Sequence, residues 1–301
     1  MKRENDAAIR TSWTEGADPH TDDTESLKEH LIEVHRRNPG FTESCAGRCT
    51  DAEGKTSYDW LCDVAVDGKA QRVLDLACGS GFLLNLLAKR IPAAEALVGV
   101  DMSAAELSLA RKRLDGANVT LHQGVAQNLA FAEAASFDTV LCHWALTLMD
   151  PVEPVFQEIG RVLTNGGTFA AIVDGDAAEA PGYDAVNDLV FAHVRAEVPS
   201  IGARDLGDPR IRKPETLSAL ARALFPDARI STQNRVFTLR GEAHMLAEEA
   251  VGFFYAAFVL SPLARAALTD QLADLLTAQA DGNVPTFSLP VCRLLVRVPS
   301  T

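Results

Sequence analysis

The stretch that decides the fold is RVLDLACGSGFLLNLLAKR, from Arg72 to Arg90. An apolar run containing Asp75 reads as a buried strand, and two close glycines, Gly79 and Gly81, follow it before a helical pattern begins. Glycines let the backbone turn tightly and approach a ligand closely. The next helix offers free N–H groups and a positive dipole end, which suit a phosphate or a carboxylate. The stretch therefore predicts a strand–turn–helix unit with a ligand at its glycine turn.

The alternation of strands and helices continues to Asp174. Such alternation predicts a parallel sheet that helices cover on both faces. The predicted strands are RVLDLA, ALVGVDM, NVTLHQG, FDTVLCHWAL and GGTFAAIVD, and the predicted helices are 81–90, SAAELSLARKRLDG with Ser103 as its N-cap, and PVEPVFQEIGRVL. The predicted fold class is α/β, a doubly wound, mostly parallel, seven-stranded Rossmann-like sheet.

The regions on either side of this core have a different organisation. Residues 1–23 are polar and expected to be mobile. Before the core, the pattern predicts a helix at 24–37, a polar loop at 41–57 and a helix capped near Ser57. After the core, it predicts helices at 183–197, 214–225, 242–260 and 262–280, a loop at 199–214, and strands at about 229–239 and 286–298. The last two strands are expected to form an antiparallel edge of the sheet.

Composition limits the class of function. The chain has 301 residues, a hydrophobic fraction of 47% and a formal net charge of −13. The charge argues against a nucleic-acid binder, which needs clustered Lys and Arg. No run approaches the roughly 20 apolar residues of a membrane span, and the polar start does not resemble a signal peptide. The expected compartment is the cytoplasm, with reduced, mostly buried cysteines and no metal.

Two common nucleotide motifs are absent from the glycine stretch. Leu84 stands where a dinucleotide fingerprint needs its third glycine, and no Gly-Lys-Ser/Thr of a phosphate-binding loop follows. The second strand ends in Asp101, 26 residues after Asp75. An acidic side chain at that place accepts both hydroxyls of a ribose. The residues therefore favour a ribose-containing ligand that is not a dinucleotide.

Four segments, in order, resemble the class I S-adenosylmethionine-dependent methyltransferases. They are VLDLACGSG, VGVDMS, SFDTVLCHWAL and RVLTNGGTFAAIV, and they span about 71–174. The resemblance implies S-adenosylmethionine as the cofactor. It also implies that Asp75 supports the glycine turn and the methionine ammonium group, and that Asp101 binds the ribose hydroxyls.

The resemblance assigns further cofactor contacts. Ala77, Gly79, Gly81 and Phe82 would line the methionine and ribose parts, and Met102 would pack on the adenine. The family often has an acidic residue after the glycine that ends the third strand, and Val125 stands there instead. The adenine contacts would then come from the Ala126 backbone N–H and the Gln127 carboxamide. Cys142 would lie nearest the departing methyl group.

Four further residues, two within the SFDTVLCHWAL segment and two ahead of the core, each allow two interpretations. His143 could be a general base for a hydroxyl or amine nucleophile, or a packing histidine, because methyl transfer often needs only alignment. Trp144 could be a pocket wall or core residue, or a cation-binding face. Tyr58 could contact the methionine part of the cofactor and Arg48 its carboxylate, or both could simply pack.

The sequence predicts four parts for the chain: 1–23; N-terminal helices at 24–70 that cover the cofactor; a cofactor-binding core at 71–174; and sheet completion at 175–301 with a helical substrate cap. The cap is expected at about 175–225 and 242–281. The predicted activity is methyl transfer to an O, N or C nucleophile of a small molecule or short peptide, in specialised metabolism; a homodimer is compatible. The alternative is a protein of the same fold with a non-methylating or binding-only role.

Overall fold

The structure, a computed structural model, describes residues 7–15, 23–199 and 206–300. Most of the predicted mobile segment, 1–6 and 16–22, lies outside the described residues. The chain forms two compact units: a core unit of 55–176, 206–235 and 291–301, and a helical unit of 1–54, 177–205 and 236–290. Within the described ranges, no helix is both long and apolar enough to cross a membrane.

Helices and strands alternate between residues 72 and 174, and further elements lie on either side of that range. The helices are α1 Asp23–Arg37, α2 Phe41–Ala46, α3 Ser57–Asp67, α4 Phe82–Arg90, α5 Ala104–Arg113, α6 Glu153–Val162, α7 Tyr183–Glu197, α8 Pro214–Leu224, α9 Ala243–Phe253 and α10 Pro262–Ala280. The strands are β1 Arg72–Leu76, β2 Ala96–Asp101, β3 Val119–Gln123, β4 Phe137–His143, β5 Leu163–Asp174, β6 Arg229–Arg240 and β7 Thr286–Arg297.

The strands form one seven-stranded sheet in the order β3-β2-β1-β4-β5-β7-β6. The first five of these pair in parallel, and β7 pairs with β5 antiparallel. Strand order therefore reverses between β1 and β4, and the carboxyl ends of these strands form the crevice where open α/β sheets bind ligands. The predicted fold class and its antiparallel edge are confirmed.

Close packing fixes the two faces of the sheet in the core unit. On one face, buried side chains of α6 and α8 join those of the strands in a single cluster around Phe156 and Phe169. On the other face, a Cβ on Gly99 of β2 would lie 2.6 Å from Leu84 of α4 and 2.8 Å from Cys78, so only glycine lets α4 lie this close to the sheet. The glycine turn is therefore held between β1 and the start of α4.

The helical unit has a core of its own. Ile9, Val34 and Phe258 are buried together, with Phe41 and Tyr255 packed against them. α9 packs on α2 and α10, and α7 packs on α10. These segments come from the regions that the sequence assigns to an N-terminal cover and a substrate cap, although 206–235 belongs to the core unit. The role of substrate cap stays a prediction.

The structure refines three local predictions. The loop expected at 41–57 contains α2, and the cap of α3 is Thr56, whose side chain forms a reciprocal capping box with Asp59. The single helix expected at 242–260 ends at Phe253, because Phe254 is extended and a short 3-10 helix, Tyr255–Val259, follows. The predicted cap Ser103 is confirmed, since its hydroxyl accepts the Glu106 N–H.

Candidate active site

The glycine turn after β1 is held to the end of β2 by backbone bonds. The Cys78 N–H donates to the Val100 carbonyl at 2.9 Å, and the Gly79 N–H donates to Asp101 Oδ2 at 2.8 Å. Ala77, Gly79 and Gly81 have φ values of 59°, 50° and 75°, in the left-handed region that favours glycine. The sequence therefore folds into the tight turn that its glycine spacing predicts.

The two glycines of the turn differ in what surrounds them. A Cβ on Gly79 would meet only Glu106 Oε2, at 3.9 Å, so the space beside this backbone is open. A Cβ on Gly81 would lie 2.9 Å from Leu114 Cδ1 and 3.1 Å from Ala110 Cβ. Gly79 therefore leaves room for a ligand against the backbone, whereas Gly81 lets the end of α5 pack on the turn.

Asp101 ends β2 and is almost fully buried. Its Oδ1 accepts the Ser103 N–H and its Oδ2 accepts the Gly79 N–H, both at 2.8 Å. These bonds fix the carboxylate between the glycine turn and the start of α5. A carboxylate offers about four acceptor positions, so these two N–H bonds alone do not exhaust it.

Asp75 lies on β1 beneath the turn and is 1% exposed. Its Oδ2 has no hydrogen-bond partner among the described residues. Burial, with a smaller contribution from the charge on Asp101, raises the pKa of Asp75 to about 8. No cationic side chain of the described residues contributes to this shift. Such a buried carboxyl group is suited to a cationic ligand, because a nearby positive charge would favour its ionised form.

Arg113, at the end of α5, holds the glycine turn from the other side. Its Nη1 donates to the Ser80 carbonyl at 3.0 Å and to the Ser80 hydroxyl, and its guanidinium lies 5.4 Å from the centre of the Phe82 ring. The sequence motifs give no sign of this role, because Arg113 lies 33 residues from Ser80 and its helix pattern is typical of a solvated last turn.

The segment after β3 lies beside Met102. The Gly124 N–H donates to the Asp101 carbonyl at 3.0 Å, and Gln123 Nε2 donates to the Met102 carbonyl at 3.3 Å. Val125 and Gln127 are half-buried, and Ala126 belongs to the buried core. The register thus places the predicted adenine contacts next to the end of β2.

A charged pair on α6 fastens this segment. Glu158 Oε2 accepts the Leu129 N–H at 2.6 Å, and the guanidinium of Arg161 donates to the Leu129 and Ala132 carbonyls at 3.0 and 2.8 Å. Arg161 also bonds to Glu158 directly. The loop that follows β3 is therefore tied to α6 through side chains that the sequence motifs do not identify.

Cys142 and His143 end β4 next to β1. Cys142 is fully buried, and burial raises the pKa of its thiol to about 12, so the thiol stays protonated and is not a nucleophile. Burial lowers the pKa of His143 to about 3. The imidazole is therefore neutral at physiological pH. Its Nε2 lies 3.0 Å from the Ser57 hydroxyl, and its Nδ1 has no hydrogen-bond partner within the described ranges.

Aromatic rings connect β4 with the glycine turn. The ring of Tyr58 is stacked on His143 with centroids 3.5 Å apart, and it lies 4.5 Å from the ring of Phe82. Phe82 is the first residue of α4, directly after Gly81. Tyr58 therefore lies next to the predicted cofactor-binding residues, although the sequence left open whether it only packs.

Trp144 and Arg48 bind other protein groups. Trp144 adopts a left-handed backbone with φ 57°, and its indole N–H donates to Asp174 Oδ1 at 3.1 Å. In the helical unit, Arg48 forms an ion pair with Glu249. Each side chain therefore has a partner within the protein. Such contacts agree with a packing role, which is one of the two interpretations that the sequence allows for each residue.

Residues 73–167 match the family model described as a methyltransferase domain. This part of the chain is a class I S-adenosylmethionine-dependent methyltransferase domain. The methyltransferase domain contains β1 to β4, the glycine turn, Asp101 and the segment after β3. The match covers most of the range from which the sequence resemblance was drawn and ends within the last of its four segments, and the resemblance is confirmed.

Curated relatives match the same part of the chain. An arsenite methyltransferase of Aquipseudomonas alcaligenes is 35% identical over 105 residues, which cover 32% of this chain and 30% of the relative. A demethylmenaquinone methyltransferase of Symbiobacterium thermophilum is 34% identical over 104 residues, which cover 33% of this chain and 41% of the relative. The chain thus spans less than half the length of these two relatives.

Solved structures share the fold over most of the chain. A putative methyltransferase from Bacillus halodurans has a TM-score of 0.54 at 19% identity, covering 81% of this chain and 99% of that chain. The cyclase SpnF has a TM-score of 0.54 at 18% identity, covering 92% of this chain and 97% of that chain. At these identities the similarity establishes the fold alone.

S-adenosylmethionine is the cofactor of this class of domain. The residues of the methyltransferase domain fit it. The molecule carries two positive groups, a sulfonium and an ammonium, and three acidic side chains, Asp75, Asp101 and Glu106, are buried around the glycine turn. The open space beside Gly79 fits close approach of a ligand to the backbone. The individual contacts remain predictions.

Sequence reasoning missed several residues that build this site. Ser57, Gly99, Glu106 and Arg113 all support or line the turn, and the sequence analysis gave none of them a role in the cofactor site, although Gly99 lies within the VGVDMS segment. The sequence did contain a signal for Gly99, which lies inside the predicted strand ALVGVDM. Glycine within a strand often marks a place where another part of the protein or a ligand approaches the backbone closely. Glu106 gave a weaker signal as an acidic residue three positions after the predicted cap Ser103.

Proposed function

We propose that the chain transfers a methyl group from S-adenosylmethionine to a nucleophile on a small molecule or a short peptide. The observation that carries the proposal is the buried carboxyl group of Asp75, whose Oδ2 has no hydrogen-bond partner among the described residues, under an open glycine turn at the switch point of the sheet. A cationic cofactor with a ribose suits this arrangement better than an anionic nucleotide does, because a phosphate would meet buried carboxyl groups.

Each side chain has a proposed role in holding the cofactor. Asp75 binds the methionine ammonium group, and Ala77, Gly79 and Gly81 line the methionine and ribose parts. Asp101 accepts the ribose hydroxyls. The remaining proposed contacts with the cofactor come from Tyr58, Phe82, Met102, Val125, Ala126, Gln127 and Cys142.

Bound S-adenosylmethionine supplies an electrophilic methyl group on a sulfonium. The chain must then hold the acceptor in line with that group and exclude water, and proximity of this kind supplies much of the rate. Cys142, a buried neutral thiol, contributes an apolar wall. His143 is proposed as the base for an acceptor that must lose a proton, and its low pKa makes it a weak one.

The acceptor class follows from the relatives and the charge. Relatives of the methyltransferase domain are named for arsenite and demethylmenaquinone, which are small molecules. We propose a small acceptor in specialised metabolism, a cytoplasmic location, a homodimer as a compatible assembly, and no nucleic-acid or membrane partner, in keeping with the net charge of −13.

The test uses S-adenosylmethionine with an isotopically labelled methyl group. The protein is incubated with this compound and fractionated metabolite extract, and mass spectrometry follows the label. A labelled product that requires the protein, and that disappears with Asp101→Ala, supports the proposal. Cofactor binding without any labelled product, across extracts that cover small molecules and peptides, contradicts methyl transfer.

A non-methylating or binding-only role is the second candidate. The observation that favours it is the similarity in fold to a protein described as a cyclase, which covers nearly the whole chain. Alignment catalysis needs no obligatory residue, so the two candidates share one cofactor site. They differ in the fate of the label: a substrate that changes without gaining a labelled methyl group identifies the second candidate.

A further inference from the structure

We infer that His143 is a positioning residue for the glycine turn: its imidazole, bonded to Ser57, fixes the ring of Tyr58 between itself and Phe82. The inference rests on the proposed function, because it takes the glycine turn as the place where S-adenosylmethionine binds. It assigns His143 a role in cofactor affinity that is separate from any proton transfer to the acceptor.

The ring of Tyr58 lies in contact with the rings of both His143 and Phe82. The His143 and Tyr58 rings are nearly parallel, with an interplanar angle of 18° and centroids 3.5 Å apart, and Tyr58 then meets Phe82 at 4.5 Å. Phe82 directly follows Gly81, and Arg113 lies over its ring. These contacts form a continuous row of side chains from the end of β4 to the glycine turn.

Ser57 fixes the imidazole of His143 in place through a hydrogen bond. The N-terminus of α3 is already capped by the side chains of Thr56 and Asp59. The Ser57 hydroxyl is therefore not needed as a cap, and it lies 3.0 Å from His143 Nε2 in a buried setting. One hydrogen bond and one stacked ring thus set the orientation of the imidazole.

Burial keeps this arrangement uncharged. Only 8% of His143 is exposed, and the pKa of about 3 keeps the ring neutral through the working pH range of most enzymes. A residue that acts as a base must gain a proton during turnover, whereas a positioning residue acts through its ring. The two roles therefore separate in a binding measurement that contains no acceptor.

The experiment compares S-adenosylhomocysteine binding by calorimetry in the wild type, His143→Phe, His143→Ala and Tyr58→Leu. Far-ultraviolet circular dichroism and thermal unfolding confirm that each variant folds. Phe retains a stacked ring without a basic nitrogen, so we expect His143→Phe to bind within about threefold of the wild type, and His143→Ala about tenfold more weakly. Tyr58→Leu should weaken binding similarly, and the double variant His143→Ala/Tyr58→Leu should add little to either single change.

Two results would overturn the inference: wild-type affinity in His143→Ala, or His143→Phe binding as weakly as His143→Ala. Steady-state kinetics of methyl transfer provide a second test once an acceptor is found. If His143 positions the glycine turn, His143→Ala should raise the KM for S-adenosylmethionine with little change in kcat, whereas loss of a base should lower kcat. A wild-type protein that binds neither S-adenosylmethionine nor S-adenosylhomocysteine refutes the proposed function itself, and with it the inference. Normal wild-type binding with an unaffected His143→Ala refutes the inference alone.

Discussion

Cofactor binding should release a proton from Asp75. In the ligand-free protein the pKa of this buried carboxyl group is about 8, so the group is mostly protonated at neutral pH. If the ammonium group of the ligand pairs with the carboxylate, the pKa falls and the proton leaves. For a group with this pKa, about 0.9 proton per ligand should be released at pH 7. Affinity should rise about 50-fold between pH 6 and pH 8, because the competing proton is removed.

The assay is calorimetric titration with S-adenosylhomocysteine, whose amino group stays charged over this range. Titrations at pH 7 in two buffers of different ionisation enthalpy give the number of protons released. Asp75→Asn is the matched control: it keeps the shape of the side chain, and it should bind more weakly, release no proton and show no pH dependence below pH 8. Wild-type binding that releases no proton, with an affinity that is flat from pH 6 to pH 8, would refute the assignment of Asp75 to the ammonium group.

The raised pKa of Asp75 also makes the stability of the ligand-free protein depend on pH. Stability should fall as pH rises, whereas affinity for the ligand should rise. The unfolded chain loses the Asp75 proton near pH 4, whereas the folded chain keeps it to about pH 8. The unfolded state therefore binds fewer protons in this window, and the free energy of unfolding should fall as pH rises through it. Asp75→Asn should flatten that part of the stability curve, as measured by urea unfolding.

Four further substitutions test the rest of the site. Asp101→Ala should weaken S-adenosylhomocysteine binding by about 1–3 kcal/mol, because hydrogen bonds to a charged acceptor are lost, and unchanged affinity in a folded variant would contradict the site. Gly79→Val should fold but fail to bind, with a melting temperature lowered by the strain of a side chain at a φ of 50°. Gly81→Val should unfold at a still lower temperature, because its φ is also positive and its Cβ would lie 2.9 Å from Leu114 Cδ1. Normal binding in calorimetry by a folded Gly79→Val would show that the ligand lies elsewhere. Arg113→Ala should weaken binding about three- to tenfold through a looser turn, and equal affinity would remove its role in holding the turn.

The sequence predicted the sheet because strand and helix periods are local signals. The run from Arg72 to Arg90 contains its strand, its turn and its helix, and the turn needs glycine's backbone freedom. Local signals also explain the errors. Thr56 and Ser57 are both competent caps, so only the bond to Asp59 decides between them. The stretch after α9 is apolar on all sides, and periodicity gives no sign of the break at Phe254.

The partners that hold the site depend on distant residues. Ser57 and His143 are 86 residues apart, and Leu129 and Arg161 are 32 apart. No period or motif relates such pairs, because the topology of the sheet brings them together. For the same reason, the sequence could propose His143 as a base from its place at the end of β4, but it could not reveal the burial that lowers its pKa.

The helical unit is assembled from three separate stretches of chain, and this has a consequence for synthesis on the ribosome. α2 packs on α9, and Arg48 meets its partner Glu249 only 201 residues later. At about 5–20 residues per second, the first stretch waits roughly 10–40 s for the helix that buries it. During that interval its apolar residues Val34 and Phe41 have no native cover from the later stretches, so nascent chains halted before α9 should be more sensitive to protease in residues 23–54 than chains that extend beyond α10.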